Sequence, residues 1–158
     1  MRRYPYKWND KGIGAEMSID KTLYERLGGK PIYIKVHRIF YDKAYAHPWL
    51  SQYFTDKPQE ILESQQTDFM IQLMGGPKAY GGKTPKSAHQ HMMISEELFD
   101  LRSQMLSDSL KEAGVSDELR VEWLKADATL KRALVKSSKD ECSRSYPTQP
   151  ILDFAKSN

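Results

Sequence analysis

Hydrophobic residues recur along this chain with the spacing of helices, in separate stretches marked off by glycine, proline and capping residues. Leu62, Gln66, Phe69, Met70 and Leu73 fall at i, i+4, i+7, i+8 and i+11, one face of a helical repeat that Pro58 opens and Gly75-Gly76-Pro77 end. Upstream, Asp20 is a suitable cap for a short helix through Leu23, Tyr24 and Leu27, which Gly28-Gly29 stop. Pro31 suits the first turn of a second helix running to about Tyr45. Its expected buried edge is Ile34, His37, Tyr41 and Tyr45, widened by Ile32, Val36, Ile39 and Phe40. His47-Pro48 break it, and Trp49 to Phe54 form an aromatic corner. Thr84 caps a brief helix with Pro85 in its first position and His89 just over one turn in. Ser95 caps a long helix carrying Leu98, Phe99, Met105, Leu106 and Leu110 to Gly114. Ser116 or Asp117 caps a last long helix, from Leu119 through Trp123 to Leu134.

No stretch alternates with the period of a strand, and no repeat or linker divides the chain. The expected class is all-α, with one domain over residues 18–136. Residues 1–17 read as an N-terminal extension. Residues 137–158 turn polar and read as a weakly ordered C-terminal tail, with Ile151, Leu152 and Phe154 able to dock.

The apolar share is 39%, or about 45% with the nine glycines counted, enough for a real core. A net charge of +3 is small and dispersed, which argues against nucleic acid as a partner. No run approaches the roughly 18 apolar residues that span a bilayer. The single Cys142 cannot form an internal disulfide and fits a reducing compartment. A cytoplasmic protein, monomeric or weakly dimeric, is the expectation.

Four histidines supply the candidate metal chemistry: His37, His47, His89 and His91. A neutral imidazole is the ordinary axial ligand of haem iron, provided its other N–H has an acceptor. For His89 the carbonyl of Pro85, four residues back, is well placed. His89 and His91 are two apart and on a helix would face opposite ways, so only one points inward; spacing does not say which. A structural zinc site, which normally takes four N/S ligands, is not supported.

Across from them, Tyr41 lies on an apolar helix edge, and Gln66 interrupts an apolar stripe beside Gln65. A phenol and an amide are hydrogen-bond donors suited to a polarised diatomic ligand. An unpaired buried glutamine costs about 1–3 kcal/mol, so Gln66 asks for a partner. Leu62 and Met70 read as apolar cavity walls, and Phe54 as a ring stacked on a porphyrin. Arg102 stands in the middle of an apolar helix face. It needs haem propionates, an acidic side chain or a distal network beside it, unless it reaches past a thin part of the core.

From about Leu23 to Gly114 these residues, in this order, resemble the truncated haemoglobins, most closely their first group. The resemblance rests on Leu23-Tyr24-Glu25-Arg26-Leu27-Gly28-Gly29, Phe40-Tyr41, His47-Pro48, Tyr53-Phe54, Gln66 with Phe69, Gly75-Gly76-Pro77, Tyr80 with Gly82, and Ala88-His89. It implies a two-over-two helical sandwich around non-covalent haem b. It implies His89 as the proximal iron ligand and Tyr41 and Gln66 as distal donors, with Leu62 on the distal side. Phe54 then packs on the haem, with Phe69 and Met70 also expected at the cofactor, and Tyr80 and Lys86 meet its propionates. Two departures stand out. Pro85 replaces a common methionine, and Arg102 replaces a small apolar residue or tryptophan. The implied function is binding of O2, NO and CO, with NO detoxification possible given a reductase partner. The alternative is a haem-based gas sensor or electron-transfer protein that signals through its terminal extensions.

Overall fold

The computed structural model describes residues 21–156, which fold into seven α-helices and two 3-10 turns. The helices are α1 (Leu23–Arg26), α2 (Lys30–Ala46), α3 (Gln59–Leu73), α4 (Pro85–His89), α5 (Glu96–Glu112), α6 (Asp117–Ala128) and α7 (Lys131–Leu134). The 3-10 turns cover Leu50–Phe54 and Lys139–Glu141. The all-α expectation holds: among the described residues the only β-type pairing is an isolated parallel bridge between Met92 and Leu152. Residues 1–17 and Asp20 lie outside the described residues.

Capping side chains fix most helix starts. Thr22, Thr84, Ser95 and Ser116 each accept a hydrogen bond from the backbone N–H three residues on. At the other ends, Gly28, Gly75 and Gly114 turn the chain with φ between 85° and 92°, where a Cβ is strained. Gly76 is required for a different reason. A Cβ there would lie 2.6 Å from Ile71 Cγ2 and 2.7 Å from the Tyr24 ring, so this glycine lets α1 close onto the end of α3.

α2 is the central strut. It packs on α3 on one side and α5 on the other, and α5 packs on α6. The pairs α2–α3 and α5–α6, joined through the α2–α5 contact, form the two-over-two sandwich. The buried face of α2 is Tyr33, Val36, His37, Phe40, Tyr41 and Ala44. This is rotated from the expected edge: Ile34 is 52% exposed, because Tyr33 turns inward against Tyr24 and Trp123. α3 is rotated likewise. Leu73 is exposed, while Thr67, Met70, Ile71 and Met74 enter the core. The last long helix is also interrupted: α6 ends at Ala128, and α7 restarts at Lys131.

Beyond α7 the chain does not leave the body as a loose tail. Leu152 N donates to His91 O and Met93 N to Leu152 O, both at 2.8 Å. Phe154 packs edge-on against Tyr53, and its carbonyl accepts from Trp49 Nε1 at 2.8 Å. The apolar residues Leu152 and Phe154 thus anchor a returning segment laid along the turn after His89.

Candidate functional site

A cavity of about 570 Å³ opens between α2, α3, α4 and α5. That is within the size range of small-molecule and cofactor sites, roughly 300–1,000 Å³. Its wall is mostly apolar and aromatic, with a few polar groups.

On one side stands His89, the last residue of α4. Thr84 and Pro85 start this helix rigidly, as the capping bond from Ser87 N to Thr84 Oγ1 at 3.2 Å shows. His89 Nδ1 lies 2.7 Å from the Pro85 carbonyl oxygen. A carbonyl only accepts, so Nδ1 carries the proton and Nε2 keeps its lone pair. Burial, opposed by the Pro85 hydrogen bond and reinforced by Arg102 and Lys136, holds the imidazole's pKa below its ordinary value. The ring is therefore a neutral, oriented base, the form a metal takes.

The end of this five-residue helix and the turn after it leave carbonyls without intrahelical donors. Here the chain beyond α7 supplies them. Lys136 Nζ donates to His89 O at 3.1 Å and Met92 O at 2.8 Å, Ser143 N to Gln90 O at 2.8 Å, and Leu152 N to His91 O. Gln149, Pro150 and Leu152 of this segment also line the cavity.

His91 lines the cavity too, contrary to the expectation that only one of the pair turns inward. The helix ends at His89, so the helical period no longer governs residue 91. His91 Nδ1 is buried with no hydrogen-bond partner among the described residues.

Tyr41, Leu62, Gln65 and Gln66 line the opposite side. Tyr41 is 8% exposed, and burial raises its phenol pKa well above the ordinary value, so it stays protonated and able to donate. Phe54 stands edge-on to Tyr41 at 6.1 Å and stacks on Tyr45 at 5.2 Å, which fixes the aromatic corner. Phe69 and Tyr80 meet edge to face at 5.1 Å on the third wall.

Two expected residues are elsewhere. Met70 is fully buried in the core and does not border the cavity. Lys86 is exposed and off the wall; Lys57 and Lys83 reach the mouth instead. Sequence reasoning aligned Met70 with the stripe of α3, but the helix turns its Leu62–Gln66–Phe69 edge to the cavity.

Arg102 is on the wall, and its partner is an acidic side chain. Its Nη1 and Nη2 donate to Asp127 Oδ2 and Oδ1 at 2.7 and 2.9 Å. The charge therefore does not reach past the core to solvent. Behind the wall, His37 is 1% exposed, and its Nδ1 lies 2.7 Å from Thr67 Oγ1. Neither Asp127 nor Thr67 was anticipated. The available signal for Asp127 was its place four residues after Trp123, on the face that continues to Leu130 and Leu134.

The comparisons decide the family. The model described as bacterial-like globin matches residues 22–136. The chain belongs to this family. It is 37% identical over 98 residues to a group 1 truncated hemoglobin of Tetrahymena thermophila, an alignment spanning 62% of this chain and 81% of that protein. It is 35% identical over 109 residues to one from Mycolicibacterium paratuberculosis, spanning 69% and 80%. The Fe(III) crystal structure of truncated hemoglobin from Tetrahymena pyriformis superposes with a TM-score of 0.68 at 32% identity, covering 73% of this chain and 98% of that one. The expected resemblance to truncated haemoglobins, most like their first group, is thus met. The family match stops at residue 136, so the cavity residues of this globin at 149, 150 and 152 lie outside it.

Proposed function

We propose that the cavity binds haem b non-covalently, with His89 as the proximal ligand, and that the protein binds O2, NO and CO. When bound, haem supplies an iron centre that takes a diatomic ligand opposite the imidazole. The observation that carries the reading is the His89–Pro85 hydrogen bond, which fixes the tautomer with Nε2 unprotonated on a residue of the cavity wall. A single protein nitrogen suffices where a porphyrin provides four more.

The residues divide the work. His89 anchors the metal. Tyr41, kept protonated by burial, and Gln66 donate hydrogen bonds on the other side. Neither side chain is hydrogen-bonded to another described residue, so both are available to a ligand. Gln65 is exposed at the rim and Leu62 excludes water beside it. Phe54 and Phe69 offer ring faces and edges to the macrocycle, while Lys57 and Lys83 meet its carboxylates at the mouth; the Tyr80 phenol, expected there too, donates to the Lys83 backbone carbonyl and holds that loop. Donors of this kind retain O2 rather than release it freely. That favours scavenging or redox chemistry, including NO detoxification with a reductase, over bulk carriage.

Absorption spectra of the purified protein in ferric, ferrous and CO-bound forms test the reading. A Soret band is expected, and His89→Ala should lose most of its haem. A colourless protein that takes up no added hemin, or a His89→Ala variant with an unchanged spectrum, overturns it.

A further inference from the structure

The Arg102–Asp127 pair is layered with respect to the cavity. Arg102 is part of the wall, whereas Asp127 is not, and its side chain is only 2% exposed. The guanidinium faces the cavity, and the carboxylate anchors it from behind. The Phe40 and Phe99 rings flank its central carbon, with centroids at 5.8 and 5.5 Å. The bidentate contact uses two of the five guanidinium N–H groups and fixes its plane. No other described residue accepts from the remaining three, and the side chain keeps 19% exposure, so they are open to a further acceptor.

The pair is neutral as a whole but not as seen from the cavity. The wall responds more to its positive half. On the Tyr41 phenol Arg102 pulls more strongly than Asp127 opposes it. The other charged wall residues, Asp56, Lys57 and Lys83, are exposed at the mouth. Arg102 is therefore the interior charge of the wall.

We propose that Arg102, held by Asp127, is an anion-recognition residue: it strengthens binding of small inorganic anions, of the fluoride and azide class, to ferric haem in this cavity without a comparable gain for CO on the ferrous form. The inference rests on the haem reading above and adds a ligand class to it. An anion gains a charge-assisted hydrogen bond that a neutral ligand gains only weakly. Anchoring from behind matters because an unanchored arginine would fold away from the site or require ordering when the ligand arrives.

The test compares fluoride affinity of the ferric haem-loaded full chain with CO affinity of its ferrous form, both by absorption titration. Arg102→Met should weaken fluoride about tenfold or more and change CO by less than about threefold. Equal effects on both ligands overturn the proposal. So does faster haem loss with unchanged fluoride affinity, which would assign Arg102 to a haem carboxylate. If Arg102→Met does not hold haem, Asp127→Asn decides. Loss of the bidentate anchor should weaken fluoride about threefold or more while CO stays unchanged, and unchanged or tighter fluoride binding refutes the assignment. A wild-type protein that takes up no haem rejects the haem reading itself and this proposal with it, whereas a normal Soret band with fluoride affinity unchanged in Arg102→Met rejects this proposal alone.

Discussion

Single protons decide the chemistry of this cavity. His89 donates one from Nδ1 to Pro85 O, and Tyr41 keeps one that burial prevents it from losing. Tyr41→Phe removes a donor without removing the ring, and O2 dissociation should accelerate about tenfold by stopped-flow, the worth of a charge-assisted hydrogen bond; an unaltered rate would mean the phenol points elsewhere. His37 titrates far from its usual range. Burial first, then Arg102, lowers its pKa to about 3, while the unfolded chain protonates near 6.5. Below 6.5 the unfolded state binds a proton that the folded state refuses, so stability is lost progressively as pH falls from about 6.5 towards 3. His89 and His91 are shifted in the same direction and add to the loss. Thermal melts across that window should show the decline, and His37→Gln should flatten it. At this scale the sequence was partly readable. The Pro85 acceptor follows from helix geometry, since a carbonyl four residues back is always near. Asp127 does not follow, because its meeting with Arg102 depends on how α5 and α6 rotate against each other.

Between elements, the turn after α4 is held from outside its own helix. Its carbonyls accept from Lys136, Ser143 and Leu152, three donors far along the chain. Ending the chain at Lys136 would strip two of them from Gln90 and His91. Haem transfer to an apoglobin acceptor should then quicken about tenfold, with faster hydrogen exchange at Met93. Leu152→Pro, which removes the N–H given to His91 O together with the leucine side chain on the cavity wall, should move both readings in the same direction by less. This arrangement was poorly legible beforehand. Helix starts could be read from Thr84, Ser95 and Ser116 because a cap is a local device. Leu152 and Phe154 were readable as docking residues, but the backbone bonds from Ser143 and Leu152 that tie the otherwise polar segment to the turn are not encoded in side-chain patterns. The rotation of α2 was likewise hidden: Tyr33 and Ile34 are both apolar, and only the neighbouring Trp123 selects which turns in.

For the molecule as a whole, order and spacing of weak motifs carried the fold. Glycine pairs, an aromatic corner and one histidine place α2, α3 and α5 around a cavity, and residues 22–136 match the globin family throughout. A fold built around a cavity is completed by what fills it. Haem bound to the native state and not to the unfolded chain stabilises by mass action, about 2.7 kcal/mol at a hundredfold excess over its dissociation constant. Calorimetry of haem-free and haem-loaded protein should therefore differ by several degrees, with the loaded form higher. Coincident melts would show that the cofactor does not bind the folded state preferentially.

The bridge between Met92 and Leu152 has a consequence for biosynthesis. Chains leave the ribosome from the N-terminus, and earlier segments collapse first. α1 to α6 can assemble while the rest is still being translated, but the floor under His89 is missing its ties until Leu152 emerges. Haem captured early by the nascent chain would sit in a half-built cradle; durable loading waits until residue 152 has emerged.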